Sequence, residues 1–206
     1  MSRTLVIDCA TEACSVALFE DEVLVAGDWR LLGRGHAEQL VPMIAALPER
    51  GRAERIAVDI GPGSFTGIRV GLAAAKALAL AWRAELVGYG ALALVAAIAR
   101  HDAGGGAVTA AMTGGHGEWF VQGFATNGTA THQAWSLTPA AAAVLPDIDL
   151  VAGSQAEALV ALRGAGRARP LLPDARRFPL LPASAVTADP HPAYGRAPDA
   201  RLPAAA

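Results

Sequence analysis

The chain has 206 residues, a formal net charge of −2, and 53% hydrophobic against 17% charged residues. That balance supports a sizeable core and excludes a disordered chain. It also excludes unaided gripping of nucleic acid, because neutralising phosphates demands a basic surface. Of the 17 basic residues only Lys76 is lysine, which in so alanine-rich a chain we read as coding bias rather than function.

Taken in chain order, short apolar runs at 5–9, 15–19 and 23–29 predict three strands, with Glu20-Asp21-Glu22 as a turn. Leu40, Val41, Ile44 and Leu47 recur at helical spacing, with Pro42 bending the helix or lying in its first turns. A strand at 56–60, a helix at 67–83, a strand at 85–88 and a helix at 90–100 complete the order βββαβαβα. Gly104-Gly105-Gly106 marks a permissive boundary. The order then repeats: strands at 107–113, 117–124 and 130–136 with an Asn127-Gly128 turn, and a helix opened by Thr138-Pro139. A strand at 150–152 and a helix capped by a Ser154/Glu157 box follow, then a strand at 168–172 and a helix at 182–188. Two lobes are expected, 1–102 and 103–206.

No basic segment followed by an apolar run opens the chain, and the apolar stretch 86–99 is too short to span a bilayer. A soluble, cytoplasmic protein is expected. Cys9 and Cys14 flank the first turn; a bridge is conceivable, and two buried thiols are the expectation.

The most specific segment is Gly61-Pro62-Gly63-Ser64-Phe65-Thr66-Gly67-Ile68-Arg69-Val70-Gly71, set between a strand and a long helix. Such a turn either aims N–H groups at an anion or permits close packing of strand and helix. It is neither a Walker A loop nor GxGxxG. This string resembles the signature of the bacterial TsaB (YeaZ) family. Residues 6–18, from Val6-Ile7-Asp8-Cys9 to Val16-Ala17-Leu18, resemble that family's first hairpin, and His36-Ala37-Glu38-Gln39-Leu40-Val41-Pro42-Met43-Ile44 its first helix. The resemblance is strong over residues 4 to about 100 and patchy beyond. It implies an α/β fold of two RNase H-like lobes of the actin, sugar-kinase and heat-shock ATPase superfamily.

By the same resemblance, Asp8, Thr11 and Ser15 fall on the superfamily's first phosphate hairpin, and Asp59, Gly61 and Gly63 on its second. Asp8, Thr11 and Asp59 would then be a vestigial nucleotide site. Ala10, where many members have glycine, and Pro62, which removes a donor, both weaken it. The alternative is that Thr11 and Ser15 cap a tight hairpin. The catalytic relative TsaD holds its metal with two histidines at i and i+4; here Gln39 and Leu40 follow His36, so no metal is expected. No cofactor is expected either, a nucleotide being admissible only within a complex. Ser64 lies outside a Gly-x-Ser-x-Gly elbow, and capping the helix is its expected work. Residues 113–118 depart from the family's Asp-Ala-Arg pattern and keep only Gly117-Glu118. The tail from Tyr194 to Ala200 resembles the family's closing segment, with Gly195 in place of leucine.

Within the helix at 67–83 the only charges are Arg69, Lys76 and Arg83, in one stripe, so either a second element or another protein covers its outer face. The resemblance implies the latter. The chain would be a non-catalytic partner and activator of TsaD, which threonylcarbamoylates the adenosine beside the tRNA anticodon. TsaE would join the larger complex, a homodimer would form when the chain is alone, and tRNA would be met only indirectly. The expected interface is His36, Leu40, Met43 and Leu47 on the first helix with Val70, Gly71, Ala74, Ala75 and Leu78 on the second. The alternatives are an independent actin-like ATPase or kinase and, disfavoured for want of a nucleophile–base pair, a glycoprotease-like peptidase.

Overall fold

Alternating and continuous apolar runs resolve into two mixed sheets in the computed structural model, which describes residues 2–146 and 148–195. The first half supplies β1 (Arg3–Asp8), β2 (Ala13–Glu20), β3 (Val23–Leu31), α1 (His36–Ala46), β4 (Arg55–Asp59), α2 (Phe65–Trp82), β5 (Glu85–Tyr89) and α3 (Ala91–Asp102). The second supplies β6 (Val108–Thr113), β7 (Trp119–Phe124), β8 (Trp135–Leu137), α4 (Pro139–Ala143), β9 (Leu150–Ala152), α5 (Ala156–Arg163) and β10 (Arg167–Arg169). A final strand, β11 (Val186–Ala188), closes the described chain. The first sheet runs β11-β5-β4-β1-β2-β3 and the second β10-β9-β6-β7-β8. Without β11 the two orders are the same, which shows the duplicated architecture directly. The expected pair of RNase H-like α/β lobes is borne out.

Both faces of the first sheet are covered, which is why its strands read as nearly unbroken apolar runs. Leu5, Ile7, Val16, Leu18 and Val58 pack under α1 and α2. Val6, Ala17, Ala57 and Val87 face the other way, onto Leu94 and Ile98 of α3. The opposite stripe of α3, Leu92, Val95, Ala96 and Ala99, packs on the second sheet, whose outer face is covered by α4 and α5. A helix shared by two sheets must be apolar all round, and α3 is buried at eight of its twelve positions.

Four expectations are corrected here. The helix expected at 182–188 is a short 3-10 turn followed by β11, which pairs antiparallel with β5. Pro182 and Pro190 leave too little chain for a helix, and β5 offers an open edge to pair with. The segment from Ala175 therefore returns to the first lobe, across the expected boundary at 102/103: Ala175 and Phe178 pack in that lobe's core. The Ser154/Glu157 box does not form, because Gln155 caps α5 and the Ser154 hydroxyl instead accepts from the Thr113 N–H at 3.0 Å. The third strand of the second lobe begins at Trp135 rather than 130, after an irregular stretch in which His132 stacks on Trp135 at 3.7 Å.

One helix among the described residues, α2, is long and apolar enough to cross a membrane by length and composition. It lies along the lobe instead, with Ile68, Leu72, Ala75 and Ala79 turned inward.

Candidate functional site

The glycine-rich segment joins β4 to α2 and is locked to the β1–β2 turn. Asp59 ends β4, and its Oδ1 accepts from the Gly61 N–H at 2.7 Å. The Gly61–Pro62 bond is cis and Gly61 sits at φ 100, a conformation favouring glycine. Gly63 lies directly over the Ala10 carbonyl and Gly67 over that of Cys9. The Ser64 N–H donates to Ala10 O at 2.6 Å. The Ser64 hydroxyl caps α2 by accepting from the Gly67 N–H at 3.2 Å, so it serves the helix and has no histidine or cysteine bonded to it. The cluster is a packing device.

The β1–β2 turn is likewise spent on itself. Asp8 accepts from the Ala10 N–H and from the Tyr89 hydroxyl at 3.1 Å. Thr11 Oγ1 accepts from the Ala13 N–H at 3.2 Å, the local turn weighed above. Ser15 Oγ accepts from the Ala175 N–H at 2.9 Å, tying the hairpin to the returning C-terminal segment. Asp8 and Ser15 are thus buried and bonded within the lobe. Cys9 and Cys14 are buried free thiols with sulfurs 3.4 Å apart, and the contact with Cys14 together with burial pushes the Cys9 thiol up.

Asp8 and Asp59 are each 1% exposed, so the expected nucleotide carboxylates lie beneath the turn rather than open to ligand. With both ionised, Asp8 Oδ1 and Asp59 Oδ2 would be buried without a donor; a proton on Asp59 makes it the donor to Asp8. Burial pushes Asp8 up to about 6, partly offset by bonds from Asp59 and Tyr89. Burial first, then the Asp8 charge, holds Asp59 well above 3.8. The folded state thus keeps protons that the unfolded chain releases. Their stabilisation is complete below about pH 4 and is lost as pH rises through the folded values, by about 1.4 kcal/mol per pH unit per proton. Asp59→Asn keeps the bond from Gly61 and supplies a permanent N–H to Asp8. Melting curves between pH 5 and 9 should show this variant gaining on the parent as pH rises; parallel pH profiles would contradict the shared proton.

Across from the β1–β2 turn stands its counterpart in the second lobe, the β6–β7 turn. Thr113, Gly114, Gly115 and His116 line the same cleft as Ala10, Thr11 and Glu12. Of the segment expected at Asp59, Gly61 and Gly63, Asp59 is buried and Gly63 lines this cleft, whose β6–β7 wall was not expected. The signal was present in the repeat, since the β6–β7 turn occupies the same place in its lobe as the β1–β2 turn. The cleft measures about 830 Å³ and includes Pro62, Gly63, Ser64, Phe65 and Arg69 on one wall. Thr66 is exposed outside it. Tyr194 closes the rim, its ring 5.1 Å from Phe65; the remainder of the tail motif, from Arg196, lies outside the described residues.

Helix period corrects the expected partner surface. Leu40, Met43 and Leu47 are core residues, as are Gly71 and Ala75. Val70, Ala74 and Leu78 are half-buried against the same core, and His36 is half-buried with Nε2 3.3 Å from Ala13 O. What faces outward is Val41 at 62% exposure with Ala45 on α1, and Ala73, Ala77 and Leu80, the last at 84%, on α2. Lys76 shares that face and Arg69 continues it to the cleft mouth. Both helices carry exposed apolar residues, and these are not the residues expected.

Among the described residues no three His, Cys, Asp or Glu side chains come together as a metal set. Elemental analysis of the purified protein should find no stoichiometric metal; one zinc or iron per chain would contradict this.

A family model described as TsaD, tRNA N6-adenosine threonylcarbamoyltransferase, matches residues 30–162. The chain is 38% identical over 121 residues to the Escherichia coli tRNA threonylcarbamoyladenosine biosynthesis protein TsaB, covering 56% of this chain and 52% of that one. It is 33% identical over 109 residues to the Anaeromyxobacter dehalogenans tRNA N6-adenosine threonylcarbamoyltransferase, covering 43% and 33%. The chain thus spans about half or less of the curated relatives it matches. Its structure is similar to YeaZ from Pseudomonas aeruginosa, with a TM-score of 0.74 and 28% identity, over 88% of this chain and 90% of that one. The matched family model spans more than half of the chain and places it among the two-lobed proteins related to TsaD. Within that class the chain belongs to the TsaB (YeaZ) family.

Proposed function

We propose that this protein is a cytoplasmic, non-catalytic partner and activator of a TsaD-type transferase in forming N6-threonylcarbamoyladenosine on tRNA. The observation that carries the reading is α2. Its 18 residues have a mean hydropathy of 1.3, yet only 28% of them are buried. An apolar helix left this open asks for a second protein. The burial of Asp8, Asp59 and Ser15 supports a non-catalytic role and disfavours the ATPase or kinase reading. The outward residues of α1 and α2 seat the transferase in this proposal, a second copy of the chain takes its place when the transferase is absent, and TsaE joins the larger complex. The tRNA is met through the partner, in keeping with a net charge of −2.

Reconstitution tests it. Transfer to tRNA by a TsaD-type enzyme should rise when this chain is added, while the chain alone turns over no ATP. Steady ATP hydrolysis by the chain alone that vanished in Asp8→Ala would overturn the reading in favour of the ATPase.

A further inference from the structure

Among the described residues the interlobe cleft is lined by Arg69 and Glu12, two charged side chains whose free groups the partner role does not use. Arg69 Nε donates to the Tyr194 hydroxyl at 3.0 Å, and the guanidinium carbon lies 3.6 Å from the centre of the Phe65 ring. These two contacts fix the guanidinium plane and leave both Nη groups without a partner among the described residues. Such a fork suits a carboxylate held through two parallel bonds. Glu12, half-buried on the β1–β2 turn, lines the same cleft, and its carboxylate has no hydrogen bond or ion pair there. The two do not pair with each other. Pro62, Met112 and Phe120 add apolar surface to the same cleft.

Among the described residues one arginine and one glutamate line the cleft beside His116, a set that does not match the several negative charges of a polyphosphate. They do match a molecule carrying one charge of each sign. At about 830 Å³ the cleft stands in the upper range of small-ligand sites and exceeds the needs of a single amino acid. We propose that it binds a short apolar peptide with free termini, its carboxylate on Arg69, its ammonium on Glu12 and its side chains on Met112 and Phe120. Arg69 is the one residue this site shares with the end of the α2 face; peptide binding is measured on the chain alone, so either proposal can fail without the other.

The test uses the full-length protein and the tripeptide leucyl-alanyl-phenylalanine, followed by calorimetry or chemical-shift titration. Saturable binding is expected, weaker by about tenfold for the C-terminal amide and for the N-acetylated peptide, each lacking one charged contact. Arg69→Gln should abolish the preference for the free carboxylate and leave amide binding unchanged. Glu12→Gln should do the same for the free ammonium, with unfolding curves of both variants checking that the lobes are intact. Absence of saturable binding, an unchanged preference in both variants, or displacement of the peptide by magnesium ATP at lower concentration would each overturn the assignment.

Discussion

Valine at Gly63 or Gly67 is expected to lower folding stability by about 3 kcal/mol or more, at the upper end of overpacking costs. Neither glycine has a positive φ, so the requirement is one of space. A Cβ at Gly63 would run into the carbonyl oxygen of Ala10, and one at Gly67 into that of Cys9. Both obstacles are backbone atoms of the β1–β2 turn, held by the pairing of β1 with β2 and by Ser64. No rotamer change relieves the overlap. Gly71, two turns from the start of the same helix, provides the internal comparison. A Cβ there meets only side chains at 3.5 Å and beyond, so Gly71→Ala should be neutral or stabilising by roughly 0.5–1 kcal/mol through helix propensity. Chemical denaturation of the three variants checks the pattern. Equal stabilities would show that the segment is not wedged against the first hairpin.

The second large effect concerns association. Glutamate at Ala77 or Leu80 would put an unpaired charge on the outward face of α2 while touching nothing in the lobe's core. If a partner helix covers that face, the variants should fold normally and lose several kcal/mol of association. Ala75→Glu, on the buried stripe, should instead unfold the protein. Ala74, half-buried against the core, would confound the two outcomes.

Much of the fold was legible because each lobe announces its elements by period. The strands of the first sheet read as apolar runs, Ser64 and Thr138 stand where helix caps belong and do cap α2 and α4, and the signature segment falls at the β4–α2 turn. What escaped were effects of tertiary partners. The stretch 186–188 carries no strong strand pattern and becomes β11 only because β5 has an edge to pair with. Ser154 looks like a cap until β6 brings Thr113 to it. Leu40 and Met43 were expected at an interface from the resemblance and Ala75 because helix 67–83 looks apolar all round; only packing reveals which arc of each helix faces the sheet. The β6–β7 side of the cleft was hidden for the same reason, since two turns more than a hundred residues apart become one site only when α3 is buried between the sheets.

The central claim is that α1 and α2 present a surface for the transferase. The most direct measurement is the association of the purified chain with a TsaD-type transferase, by titration and by mass in solution, for the parent and for Ala77→Glu. The account predicts a defined complex with the parent, and a folded Ala77→Glu chain that no longer forms it. A parent that forms no complex, or a variant that binds as tightly as the parent, would contradict it.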